Sequence, residues 1–329
     1  MSNRTLIEPV TPPQTRPPAP STTRRIKKPA SEIWFRNITV GTIITALVVL
    51  LFIPIGIAFV GSFHDWNPLN GSFDFTGIDN YVELFGDATF WRASANTLVF
   101  GILSIVGRVL LGLAIAYALF SKLSRWRTFF RTIFYLPTVM PLVAVAFLWK
   151  LMYNPQFGAI NTFLGLDINW LFDQRYSLLA IVIMTIWKDF GFAVILFLAG
   201  LYAIPEDVLE AAAVDGANAW RTFWHIVLPL LRPMLFFVII TSMIGYLQAF
   251  VQVLVMTNGG PGTSTQLISF MIYDQAFVKY NFGYASAIAF VLLIATAALT
   301  AASWRMNQSA LDTPRRSRRA GKRAEKGMS

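Results

Sequence analysis

Six nearly unbroken apolar runs, at residues 37–61, 96–120, 129–152, 178–201, 234–256 and 284–304, set the pattern of this chain. A helix needs about 20 mainly apolar residues to cross the hydrocarbon core of a bilayer, and it satisfies its own backbone there. The pattern predicts an all-α membrane protein with six transmembrane helices, forming one domain over residues 37–306. In the third run Pro137 and Pro141 stand four residues apart, so two backbone donors are missing and that helix is expected to bend. In the fifth, Thr241, Gly245, Gln248 and Gln252 recur at intervals of four, three and four, which traces one polar stripe along an otherwise apolar helix. Tyr246 and Phe250 fall on a different face, suited to packing on a neighbour. In the sixth, Ala285, Ala289, Ala297 and Ala301 are small enough to let helices approach closely.

Composition agrees with this reading. A chain of 329 residues with 55% hydrophobic and 13% charged residues and a mean hydropathy of +0.56 is no ordinary soluble domain. The net charge of +10 would suit nucleic acid, but the basic residues gather beside the apolar runs. Seven precede the first run, Lys122, Arg125, Arg127 and Arg131 lie between the second and third, and eight follow from Arg305 onward. That distribution places both termini in the cytoplasm, with anionic lipid rather than nucleic acid as partner. Residues 62–95 carry Arg92 against Asp65, Asp74, Asp79, Glu83 and Asp87 and belong outside. Six spans then put the loop near residues 202–232 inside. Residues 1–36, Pro-rich from Thr11 to Pro20, read as a disordered cytoplasmic tail and not as a cleavable signal. Residues 307–329 form a basic cytoplasmic tail, also expected to lack structure. The absence of cysteine excludes disulfides, thiolate metal sites and a thiol nucleophile.

The inner loop near 202–232 is the most specific part of the chain. Pro205 suits the first position of a helix running through Glu206, Asp207, Glu210, Ala211, Ala212 and Ala213, and Gly216 after Asp215 permits a left-handed stop before Ala217. Asn218 can cap a second short helix, rich in Trp220, Phe223 and Trp224 and ended by Pro229. Such a helix–turn–helix on a membrane protein is built to be gripped by a soluble partner.

Glu210, Ala211, Ala212, Gly216, Ile226, Leu228 and Pro229 occur at the spacing of the signature loop of ABC-importer permease subunits, and the chain resembles that family from about Trp34 to Trp304. The resemblance implies the type I importer permease fold and a bacterial inner-membrane location. It also implies a coupling helix in which Glu210, Ala211, Ala212, Asp215, Gly216 and Ala217 dock on an ATPase subunit. The implied partners are a second permease, an ATPase dimer that holds ATP and Mg, and an extracellular binding protein; the chain itself would hold no cofactor.

Two further motifs resemble the carbohydrate subgroup typified by the first permease of maltose and glycerol-phosphate importers. One is the Pro-bearing third span leading to Trp149, Asn154-Pro155, Phe157-Gly158 and Ile160-Asn161. The other is Gly259-Gly260-Pro261-Gly262 followed by Tyr273, Ala276-Phe277 and Gly283-Tyr284-Ala285. Two departures stand out: segment 62–95 is short beside the maltose subunit's outer domain, and Val251 replaces an acid that related sugar permeases often carry after the Phe of the fifth span.

Buried polar groups supply the remaining candidates. Arg108 near the middle of the second span and Lys188-Asp189 near the middle of the fourth are costly at that depth and are expected to face the bundle interior or water. Lys188 and Asp189 are adjacent, so Arg108 with Asp189 is the expected interhelical pair. Together with Thr241, Gln248 and Gln252 they mark a candidate substrate path, a structural ion pair being the equal alternative. No phosphate-binding Gly-x-x-x-x-Gly-Lys loop occurs, and only His64 and His225 are present, so ATP hydrolysis is assigned to another chain, the metal set is none, and the chain is a transport subunit rather than an enzyme. The expected activity is sugar import. The alternatives are an ABC permease for a phosphorylated polyol or polyamine, and an ATP-independent secondary transporter, which the lack of inverted repeats disfavours.

Overall fold

The computed structural model describes the backbone of residues 30–121 and 127–326. Most of the predicted N-terminal tail and the basic residues Lys122 and Arg125 lie outside the described residues. Among the described residues, those up to Pro54 belong to one compact unit and those from Ile55 to a second, which carries both candidate sites.

The first unit holds helix α1, Ala30–Leu47, then a π-helical turn at Val48–Phe52. That turn has a cause. Pro54 cannot donate to the carbonyl four residues back, and the Ile53 amide reaches Val48 instead, so one wider turn absorbs the missing bond. Helix α2, Ile53–Gly61, follows. The outer connection folds as a hairpin, β1 His64–Asn67 paired antiparallel with β2 Ser72–Phe75 in the register His64↔Phe75, and a short helix α3, Asp79–Gly86. Asn80 fixes this connection by donating to the carbonyls of Ser62 and His64, each at 3.0 Å.

Helix α4, Ala88–Ser121, is the second span. The third is split into α5, Arg127–Val139, and α6, Leu142–Met152, bent by 96° at Met140–Pro141. The expected kink is therefore a full break. After α7, Ala159–Leu164, comes the fourth span, α8, Ser177–Tyr202. The inner loop holds α9, Glu206–Val214, and α10, Ala219–Thr222, followed by a π turn at Phe223–Val227 and α11, Leu228–Leu230. The fifth span is α12, Arg232–Leu247, interrupted at residues 248–250 and continued by α13, Val251–Met256. Helix α14, Ile268–Tyr273, and the long α15, Phe282–Lys326, complete the chain. Among the described residues four continuous helices are long and apolar enough to cross a membrane, and up to six spans result when each of two bent pairs, α5 with α6 and residues 219–230 with α12, counts as one.

Three expectations are corrected. Pro229 does not end its helix: the π turn before it repeats the Pro54 solution, and the chain bends by 65° two residues later, at Leu231. The polar stripe is not continuous, because the break at residues 248–250 changes the helical phase between Gln248 and Gln252. Gln248 is exposed, whereas Gln252 is 7% exposed. Helix also extends into both expected tails, beginning at Ala30 and running to Lys326, since extending an existing helix requires no new nucleus.

Two apolar cores stack along α4 and α8. One gathers Phe100, Ile181 and Met184 of α4 and α8 with Val145 and Trp149 of α6, Tyr246 of α12 and Val253 of α13. The other gathers Leu113, Ala116, Phe190, Phe197, Leu231 and Val238, packed by α12 and fringed by Phe130 and Phe134 of α5. Between them, on α4 and α8, lie Arg108 and Lys188-Asp189.

Candidate functional site

The inner loop is shaped by backbone chemistry. Helix α9 carries Glu206 and Asp207 in its first turn, where carboxylates complement the N-terminal dipole. Its end is a Schellman motif: the Gly216 amide donates to Ala213 O at 3.1 Å and the Ala217 amide to Ala212 O at 3.0 Å. Gly216 sits at φ +73°, the left-handed region that closes this motif. Asn218 then caps α10, its Oδ1 accepting from the Arg221 amide at 2.8 Å. Ala212 is buried, and Leu209 packs beside it on the core that holds Leu113 and Phe197. Glu210, Ala211, Ala213, Val214, Asp215 and Gly216 are exposed, so α9 holds one face against the bundle and offers the other. Trp220 and Trp224 extend the offered surface, edge to face at 5.5 Å.

The second site lies at the level of the helix breaks. Arg108 is 8% exposed; its Nη1 donates to Ser242 Oγ at 2.9 Å, and its guanidinium lies 5.5 Å from the centre of the Phe192 ring. Its Nε is buried without a partner. Tyr246, one turn beyond Ser242, donates its hydroxyl to Asp189 Oδ2 at 3.1 Å. Lys188 Nζ stands 3.6 Å from Asp189 Oδ1, and Lys279 with Asp274 makes the other ion pair among the described residues. The expected Arg108–Asp189 pair is thus replaced by a chain in which Tyr246 stands between them. Adjacent side chains diverge on a helix, but the four-carbon stem of lysine curls back far enough for an ionic contact beyond hydrogen-bond length.

Ser242 and Tyr246 are the residues the periodicity reading missed. Their spacing of four places them on one face beside Thr241 and Gly245, so the signal was present one position away from the stripe that drew attention. Of the stripe itself, Thr241 turns its hydroxyl back to Phe237 O at 2.8 Å, and Gln248 opens on an apolar groove of about 840 Å³ along α15. Phe250 packs on Tyr273 at 4.9 Å.

Beside the core that holds Phe100, the loop between α13 and α14 is pinned to two spans. Asn96 of α4 donates to the carbonyls of Thr263, at 2.9 Å, and Gln266, at 3.1 Å, while Ser177 of α8 meets Ser264 at 2.9 Å.

Residues 108–306, which hold both sites, match the family described as the binding-protein-dependent transport system inner membrane component. Over 268 residues the chain is 37% identical to the probable ABC transporter permease protein YurN of Bacillus subtilis, an alignment covering 78% of this chain and 91% of that protein. It is 36% identical over 272 residues to MsmF, a multiple sugar-binding transport system permease protein of Streptococcus mutans, covering 82% of this chain and 93% of the other. A chain of a bacterial ABC transporter involved in the import of the acidic polysaccharide alginate shares the fold, with a TM-score of 0.75 at 23% identity, over 84% of this chain and 96% of that one. Bent spans, an exposed Glu-Ala-Ala helix and these likenesses lead to one conclusion: the chain belongs to the binding-protein-dependent permease family and is a multi-spanning membrane component of an ABC-type importer.

Proposed function

We propose that this chain is one of two non-identical permeases of an ATP-driven sugar importer. In this reading it forms half of the translocation path, between a binding protein outside and a cytoplasmic ATPase dimer that holds ATP and Mg. Both termini lie in the cytoplasm. The observation that carries the sugar assignment is the cluster of buried Arg108, Ser242 and Tyr246 with half-buried Asp189, set where two spans break. A hydroxyl-rich solute needs such donors and acceptors, and a buried polar group without a partner costs about 1–3 kcal/mol. Arg108 Nε is such a group. Arg108 and Lys188 against Asp189 leave one net positive charge, so the choice of a neutral saccharide over a phosphorylated polyol rests on the donors and acceptors suited to hydroxyls and not on charge. MsmF, named for sugar transport, supports the same choice.

Helix α9 supplies the drive. Glu210 and Ala211 on its exposed side, with Asp215, Gly216 and Ala217 at its turn, would contact the ATPase, and Ala212 would hold the helix to the bundle. ATP binding would then bias the inward–outward equilibrium only through contacts that differ between the closed and open ATPase dimer.

The test is uptake by proteoliposomes holding this chain with its co-purified permease, ATPase and binding protein. ATP-dependent accumulation of a neutral saccharide is expected. Accumulation of only a phosphorylated polyol or a polyamine would overturn the sugar assignment, and uptake without ATP would overturn the ABC mechanism.

A further inference from the structure

We infer that Lys188 is a positioning residue: it caps the carbonyl opened where the third span breaks, fixes that bend, and makes no contact with the transported solute. The inference rests on the transport reading only for its uptake consequence, since the geometry concerns this chain alone.

The break at Met140–Pro141 strands backbone groups at membrane depth. Pro141 has no amide to return to Pro137, and the Met140 amide reaches that carbonyl instead, at 3.3 Å. Thr138 O would accept from Leu142 in an unbroken helix, but Leu142 begins α6 after a bend of 96°. Lipid cannot replace that donor, so a broken helix at membrane depth needs neighbouring protein groups or water to re-satisfy it. Lys188 Nζ does so, lying 3.4 Å from Thr138 O, and Thr138 Oγ1 donates back to Lys188 O at 3.0 Å. A cation at the C-terminal end of α5 also complements its dipole. The approach is close by design of the sequence: a Cβ on Gly191, three residues along α8, would collide with the Phe134 carbonyl.

The second half of the span is held as well. Lys150 of α6 donates from Nζ to Val255 O of α13 at 3.1 Å. Asp189 faces Lys188 on one oxygen and accepts from Tyr246 on the other, two residues before the fifth span breaks. One dipeptide on α8 therefore touches both broken spans where the two cores meet. Lys188 is spent on backbone and on Asp189, whereas Tyr246 and Arg108 keep the groups a solute could use.

The test uses the full chain, in nanodiscs of phosphatidylethanolamine and phosphatidylglycerol. With no native cysteine, spin labels at Ile133→Cys and Phe147→Cys, both exposed, report the α5–α6 distance cleanly. Lys188→Met should broaden and lengthen that distribution, and Lys188→Arg, which retains donors, should restore it. The double variant Lys188→Met/Asp189→Asn separates capping from charge balance. It should remain broad, and a return to the narrow distribution would overturn the capping role. A narrow distribution in Lys188→Met would overturn it too. If Lys188→Met fails to insert, Thr138→Val removes the reciprocal bond without a charge; it should show a smaller broadening, and an unchanged distribution there counts against the inference. In the reconstituted importer, Lys188→Met should lower maximal uptake by roughly tenfold, the scale of one charged hydrogen bond, at unchanged KM. A raised KM or an altered saccharide preference would place Lys188 on the solute and refute the assignment.

Discussion

Substitution of Gly216 isolates what the turn after α9 contributes. Its φ of +73° lies in the left-handed region, and nothing lies within 4 Å of the position a Cβ would take. No clash within this chain confuses the result, so the penalty is conformational: about 1–2 kcal/mol for an ordinary residue, and larger for a β-branched one. Asparagine tolerates this region, and its penalty is smaller. A penalty of 1–2 kcal/mol shifts the closed population of the turn by a factor of about 5 to 30. The two motif bonds, from the amides of residues 216 and 217, would open accordingly. Hydrogen exchange at those amides in the purified chain should therefore show protection falling in the order Gly, Asn, Ala, Val. Uptake per ATP hydrolysed should follow the same order in the reconstituted importer. The ranking of Asn against Ala decides the matter. If Ala outperforms the bulkier Asn, space at the partner surface governs the position and the backbone argument is wrong.

Three further outcomes follow from the same geometry. Glu210 is exposed, so Glu210→Lys should leave insertion unchanged while ATPase association and uptake are lost; normal uptake would remove Glu210 from the docking surface. In intact cells, cysteine at Asp79 should be labelled from outside and cysteine at Ala213 protected, and outer labelling at Ala213 would overturn the six-span topology. Gln248 is exposed and Gln252 buried, so Gln248→Leu should lower uptake with assembly intact, whereas Gln252→Leu should lower assembly itself, read by co-purification of the partner permease. Equal effects of both would contradict the division made by the helix break.

Spans and inner loop were legible for different reasons. Apolar runs report burial in lipid directly, and Pro137 with Pro141 announced a bend, because a missing amide is a property of the residue. Gly216 and Asn218 announced a turn and a cap because their chemistry is local. The size of the bend was not legible: two prolines weaken a helix, but 96° depends on Lys188 and Gly191 of another span receiving the broken end. The interruption at residues 248–250 carries no proline or glycine. The periodic reading therefore ran through it and joined Gln248 to Gln252. The Arg108–Asp189 pair failed similarly, since helical phase does not reveal that Tyr246 of a third span fills the space between them.

The account stands or falls on α9 as the site where an ATPase grips this permease. A photoreactive amino acid at Ala213, on the exposed side of α9, can be cross-linked in cells that express the intact importer, with Val82 of the outer helix as the control. The account predicts an adduct at Ala213 with a protein that carries a nucleotide-binding Gly-x-x-x-x-Gly-Lys loop, and none with that protein at Val82. An Ala213 adduct with any other protein in place of the ATPase, or an ATPase adduct at Val82, would contradict it.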